Sequence, residues 1–195
     1  EDYAIRLGKP LIIIFGLGSA NGSRTGASPL AEMMENLTKK PNISVITCMG
    51  NEANNKCHYK GTVMSALVPD VMEINVDGTG KGFTMEIWAD SLDILSVSIE
   101  SPSGEYVPRI PARMGASMEY TFLYEGSTVT VDYQITENVA GMEVIFVRLK
   151  TPVEGTWKFY IYSLTNIKGS YNAWLPLKQF SGQDIYFLKS DPDTT

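Results

Sequence analysis

Histidine and cysteine are nearly absent: one histidine, His58, and two cysteines, Cys48 and Cys57, in 195 residues. Two cysteines exclude a disulfide framework. With a single histidine they leave too few ligands at usable spacing for a zinc site. Positive charge is also in deficit, with 16 Lys and Arg against 22 Asp and Glu and a net charge of -6. A nucleic-acid surface needs clustered Lys and Arg, so that class is set aside. No apolar run reaches the ~18–20 residues that a membrane-spanning helix requires. No nucleic-acid or membrane partner is therefore expected. Neither a cofactor nor a metal is implied; Asp77, Asp90 and Asp93 lack the spacing of a calcium loop.

What is present is a globular composition, 44% hydrophobic, enough for one large domain or two small ones. Glu1 to Leu7 reads as the tail of a helix rather than as a basic-then-apolar signal segment. Ser190 to Thr195 reads as a loop. Together they lead us to expect a piece of a longer polypeptide.

The centre of the pattern is Cys48-Met49-Gly50-Asn51-Glu52, where an apolar strand opens into a polar loop. Upstream, Leu11-Ile12-Ile13-Ile14-Phe15 runs into Gly16-Leu17-Gly18. A continuous apolar run fits a strand buried on both faces, as in parallel sheets. Between the strands, Ser28-Pro29 supplies an N-cap oxygen and a proline at the first helical position. Leu30, Met33, Met34 and Leu37 form one stripe at helical spacing, and Pro41 ends the helix. Strand, helix, strand in that order places the Gly16–Gly18 loop and the Gly50–Asn51 loop at one end of the sheet. That is where open α/β sheets bind ligands. Residues 50–61 read as irregular loop.

From about residue 68 helical periodicity gives way to alternation. Met72, Ile74 and Val76 alternate with polar residues, as do Phe83, Met85 and Ile87, and Leu95, Val97 and Ile99. Strands around Val129–Ile135, Ile145–Leu149 and Thr156–Tyr162 follow. Turn signals stand between them at Asp77-Gly78 and Pro102-Ser103-Gly104. This reads as an antiparallel sandwich, with room for a jelly roll of eight strands and with Trp88, Trp157 and Trp174 supplying core. The expected fold class is mixed: a partial α/β segment over residues 1–65, then an all-β jelly-roll sandwich over residues 66–195. The two-stranded α/β segment leaves raw edges, which would join a larger sheet, be covered by the β domain, or pair with another copy as a homo-oligomer.

Asn51 is the chemical candidate. A side-chain amide at a strand end donates a hydrogen bond without competing as a charge, which suits a developing oxyanion. The other reading of Gly50-Asn51-Glu52 is a plain turn, since Gly and Asn tolerate left-handed backbone. His58 beside Cys57 invites a Cys–His dyad, but neighbours in an extended segment point opposite ways, so a packing histidine is expected. Cys48 is expected to be a buried small hydrophobe. Tyr106, Tyr160, Tyr162 and Trp174 are candidates for a sugar-stacking face, with about half of them turned to the core.

The segment from Lys9 to Gly61 resembles the subtilisin-like serine proteases. In that family a buried strand ends in a Ser-Leu-Gly-like loop, here Gly16-Leu17-Gly18. A helix follows, then a strand ending in a small-residue pair and Gly-Asn-Glu, here Cys48-Met49-Gly50-Asn51-Glu52. The resemblance extends to the subgroup with a jelly roll inserted before the catalytic serine, as in clostridial germination proteases. It implies that Asn51 is the oxyanion-hole asparagine and that Gly16, Leu17 and Gly18 pair with substrate backbone. Cys48, Met49 and Gly50 would wall the pocket for the residue before the scissile bond. Gly16 departs from the usual Ser, and Ala53 stands where the family has Gly. The family's Asp and His would lie before Glu1 and its Ser after Thr195.

The implied function is a fragment of a serine endopeptidase acting on polypeptides, inactive alone because a triad works as a unit. Its partners would be the polypeptide substrate and the remainder of the parent protease domain. The alternatives are a non-catalytic carbohydrate- or protein-binding module, or a pseudoprotease scaffold. The compartment is left open, with an extracellular or spore-associated setting suggested by the resemblance.

Overall fold

Apolar strand-formers at 11–15 and 43–47 and a capped helix between them make a strand-helix-strand unit. The computed structural model describes residues 2–89, 93–135, 141–164 and 169–189. It divides into two compact units, Glu1–Asn51 and Glu52–Thr195.

In the first unit, α1 spans Asp2–Leu7, β1 Leu11–Phe15, α2 Pro29–Thr38 and β2 Ile43–Thr47. The Ser28 Oγ accepts from Ala31 N at 3.2 Å, and Pro29 opens the helix. The turn into β2 passes through Asn42 at φ 61°. Strands β1 and β2 pair in parallel, from Leu11 opposite Ile43 to Phe15 opposite Thr47. Their side chains alternate between half-buried and exposed: Leu11, Ile13 and Phe15 are half-buried, whereas Ile12 and Ile14 are exposed. On α2, Met34 and Leu37 are half-buried, while Leu30 and Met33 are exposed, so the expected buried stripe is only half covered.

The second unit begins with a 3₁₀ turn at Ala53–Asn55 and continues as β3 His58–Val63, β4 Asp70–Asp77, β5 Gly82–Ala89 and β6 Leu95–Glu100. Then come β7 Tyr106–Ile110, β8 Ser117–Thr121, β9 Thr128–Ile135, β10 Glu143–Lys150, β11 Gly155–Ser163 and β12 Gly169–Trp174. A short α3, Lys178–Ser181, precedes β13, Asp184–Phe187. A six-stranded sheet has the order β3-β12-β5-β10-β9-β8, and a five-stranded sheet the order β13-β4-β11-β6-β7. All pairings in both are antiparallel. The two sheets form an all-β sandwich that fits a jelly roll.

The period of two fills the space between the sheets. Phe83, Met85, Ile87, Val131, Ile145 and Val147 come from one sheet. Met72, Ile74, Val97, Ile99, Trp157 and Phe159 come from the other. Burying each such side chain contributes about 1.5–3 kcal/mol. Phe122 meets Trp157 edge-on at 5.1 Å, a favoured aromatic geometry. Gly82 has φ 115°, and a Cβ there would lie 1.9 Å from Leu149 O, so only glycine fits.

Several expectations are corrected. The mixed α/β class is overturned: of the described residues 47% are strand and 13% helix. Parallel pairing among the described residues is confined to β1 with β2. A parallel α/β core needs strands enclosed on both faces, and β1 and β2 alternate between half-buried and exposed instead. Residues 58–61 belong to β3, paired to β12 from His58–Trp174 to Val63–Gly169, not to a loop. Of the three tryptophans only Trp157 belongs to the core cluster. Trp88 and Trp174 alternate with the residues that face the other sheet; Trp88 is nonetheless buried, at 6% exposed and donating from Nε1 to Glu86 Oε2 at 3.0 Å, whereas Trp174 is half-buried. No helix among the described residues is long and apolar enough to cross a membrane.

Candidate functional site

The site is built at the carboxyl ends of β1 and β2. Parallel pairing in register delivers Gly16 and Cys48 side by side, one residue beyond Phe15 and Thr47. Cys48 N donates to Phe15 O at 3.3 Å, one step past the sheet. Cys48 Sγ donates to Leu17 O at 3.5 Å, joining the two loops. The Gly16-Leu17-Gly18 loop and the Cys48–Asn51 loop thus emerge at the same end of the strand pair.

All seven candidate residues, Gly16, Leu17, Gly18, Cys48, Met49, Gly50 and Asn51, are exposed. Leu17 is 86% and Met49 88% exposed, large apolar side chains beside an open strand end. Gly50, immediately before Asn51, turns at φ 105°, a region L side chains rarely adopt. No carboxylate or amine stands among the seven; the next residue along the loop, Glu52, carries a carboxylate. Cys48 is exposed and not the expected buried hydrophobe, because it lies past the end of β2 where the chain has left the sheet.

The other candidates separate. Cys57 is buried, and burial, then the Glu52 and Asp184 carboxylates, push its thiol up, away from a reactive thiolate. His58, at the start of β3, stacks on Trp174 at 4.8 Å, and its Nε2 lies 3.1 Å from Asn172 Oδ1. It is a packed histidine. Tyr106, Tyr160 and Tyr162 share the outer face of the five-stranded sheet, where Tyr106 Oη donates to Ser98 Oγ at 2.7 Å and Tyr160 Oη to Glu100 Oε2 at 2.5 Å. Trp174 is on the other sheet, so the four aromatics do not make one face, and none of the three tyrosines turns to the core. Of the three aspartates, Asp90 lies outside the described residues. No group of three His, Cys, Asp or Glu side chains among the described residues is arranged to hold a metal.

Buried polar side chains inside the sandwich were not anticipated. Tyr133 on β9 accepts from Val97 N at 3.2 Å and donates to Ile110 O at 3.0 Å, bonding the six-stranded sheet to the five-stranded one. Tyr171 and Tyr59 both donate to Asp70 Oδ2, at 2.8 and 3.1 Å. Their signal in the sequence was only an inward position in the alternation.

No family model and no curated protein matches the chain. Among solved structures, the Clostridium perfringens CspB protease is similar with a TM-score of 0.84 and 21% identity, over 98% of this chain and 40% of that one. The chain thus spans less than half of the protease it resembles, and it has the fold of that part of it.

Proposed function

We propose that this chain contributes the oxyanion-hole asparagine and the substrate-binding edge of a subtilisin-like serine endopeptidase. The Asp, His and Ser of the triad are supplied from outside it. The observation that carries the reading is the shared exit of the two loops, joined by Cys48 to Phe15 O and Leu17 O. In this reading Gly16, Leu17 and Gly18 hold a peptide by adding it as a strand. Cys48, Met49 and Gly50 wall the pocket for the residue before the scissile bond. Asn51 donates to the carbonyl oxygen as it gains negative charge, an interaction stronger in the transition state than in the ground state. The remainder of the protease domain covers the exposed face of β1 and β2, where Ile12 and Ile14 are bare. The fold likeness to a clostridial protease supports the same assignment.

The test is Asn51→Ala in the full-length protein, with peptidase turnover and thermal unfolding measured together. Turnover falls by about 10²–10³, a magnitude taken from the subtilisins themselves rather than from this chain, and the melting temperature holds. Unchanged turnover removes the oxyanion role. A folded, full-length protein with no turnover before mutation favours the pseudoprotease alternative.

A further inference from the structure

The β sandwich holds an acidic side chain where its own pattern calls for an apolar one. Glu143 opens β10 on the inward phase, in step with Ile145, Val147 and Leu149, and is 3% exposed. Its Oε2 crosses between the sheets and accepts from Leu95 N on β6 at 2.7 Å. The reason this amide needs a side-chain acceptor is in the strand register. Pairing of β6 with β7 begins only at Val97 opposite Ile110, and a bulge follows between Val97 and Ile99. The amides of Leu95 and Val97 therefore lack regular ladder partners on that side. A buried N–H left unbonded costs about as much as a lost hydrogen bond. Glu143 satisfies the first and Tyr133 the second, both from the opposite sheet.

The second oxygen, Glu143 Oε1, is buried with no partner among the described residues. The group that acts on it electrostatically from the segment before β6 is Asp93, itself buried and accepting from Ser163 Oγ at 2.8 Å. A Cβ on Gly169 would lie 1.3 Å from Asp93 Oδ2, so the glycine makes room for that carboxylate. From β9 comes the neutral Tyr133 hydroxyl. Arg109 on β7 turns its guanidinium to the outer side of that sheet, over the Tyr162 ring and bonded to Ser96 Oγ, Ala66 O and Ser163 O. No cation is bonded to Glu143 among the described residues.

We infer that Glu143 is a proton-operated latch between the two sheets: protonated on Oε1 it sits between them without charge and they hold together, and ionised it weakens their packing by enclosing a charge, although the Leu95 N–H bond itself strengthens on ionisation. A proton on Oε1 cancels the enclosed charge and its repulsion from Asp93, while Oε2 continues to accept from Leu95. An ionised Glu143 leaves a buried charge with one oxygen unsolvated, which the interior penalises. Burial, with Asp93 adding, pushes this carboxyl from 4.5 up to about 7, against the opposing bond from Leu95 N. The folded form therefore holds the proton more tightly than the unfolded chain. The contribution is complete below about pH 4.5 and is lost as pH rises through about 7. A rise from 4.5 to about 7 is 2.5 decades, so folding weakens by up to about 300-fold across that window.

The experiment is a ¹³C-carboxyl titration of Glu143 in the intact chain, with hydrogen exchange at the Leu95 amide from pH 5 to 8. A midpoint near 7, with Leu95 protection falling through the same range after correction for intrinsic exchange, supports the latch. A midpoint near 4.5 overturns it. Glu143→Gln keeps an acceptor and removes the titration, so protection relative to wild type should then lose its pH dependence. An unchanged slope overturns the proposal. If that variant does not fold, Asp93→Asn keeps an acceptor for Ser163 and should lower the Glu143 midpoint. A midpoint that stays where it was overturns the pairing with Asp93.

Discussion

The unit before Glu52 and the unit after it are built on opposite economies of burial. In the first, Ala20 alone among the described residues is buried, and β1, β2 and α2 carry isoleucines and methionines that are half or more exposed. In the second, Trp157, Phe159, Ile74, Val97 and Ile87 are among side chains fully removed from water. Stability resides where apolar area is buried. Exposed loops held by a scaffold are where binding residues concentrate. The contrast assigns stability to the sandwich and leaves the strand ends exposed, where recognition is proposed.

The sharpest way to break this comparison is to truncate one large side chain in each unit. Trp157→Ala leaves a cavity in the centre of the sandwich and should cost about 3–5 kcal/mol. Ile14→Ala removes a side chain that is 72% exposed and should stay within about 0.5 kcal/mol. Urea unfolding of both variants gives the numbers. Equal losses would mean that the exposed face of β1 is covered when the chain folds.

A smaller effect tests whether the sandwich depends on its internal polar ties. Tyr133→Phe keeps the ring and removes the hydroxyl bonded to Val97 N and Ile110 O. Two buried backbone groups lose their partner, at about 1–3 kcal/mol. Unfolding midpoints matching wild type would show that water or a shift of β7 replaces the hydroxyl.

What could be read from the sequence followed local rules. Ser28-Pro29 announced the start of α2, the runs 11–15 and 43–47 announced β1 and β2, and alternation announced β4, β5, β6, β9, β10 and β11. Asp77-Gly78 and Pro102-Ser103-Gly104 marked real turns. The short or interrupted strands did not announce themselves. Pro108 breaks up β7, His58, Lys60 and Gly61 disguise β3, and β13 has only four residues. The fold class failed for a related reason: apolar runs signal a strand but not what covers it, and nothing in 11–15 marked Ile12 and Ile14 as exposed. Trp174 was read as core by size, whereas its phase in β12 leaves it half-buried; Trp88 shares that outward phase in β5 but is buried there. At the site, the spacing located the two loops but could not tell that Cys48 would be exposed. Glu143 was invisible, because its burial comes from a sheet paired with residues nearly fifty positions away.

The smallest expected effect sharpens the comparison on the side that has little core. Ser28→Ala removes the oxygen that accepts from Ala31 N and should cost about 1 kcal/mol of helix stability. In the sandwich such a loss would be a small fraction of what buried tryptophan and isoleucine contribute. In a unit whose helix has no buried residue it is a large one. Hydrogen exchange should therefore show the α2 amides exchanging about fivefold faster, with the β10 and β11 amides unchanged. If β10 and β11 speed up by the same factor, the cap is felt by the sandwich as well, and stability is shared between the two units rather than held by one.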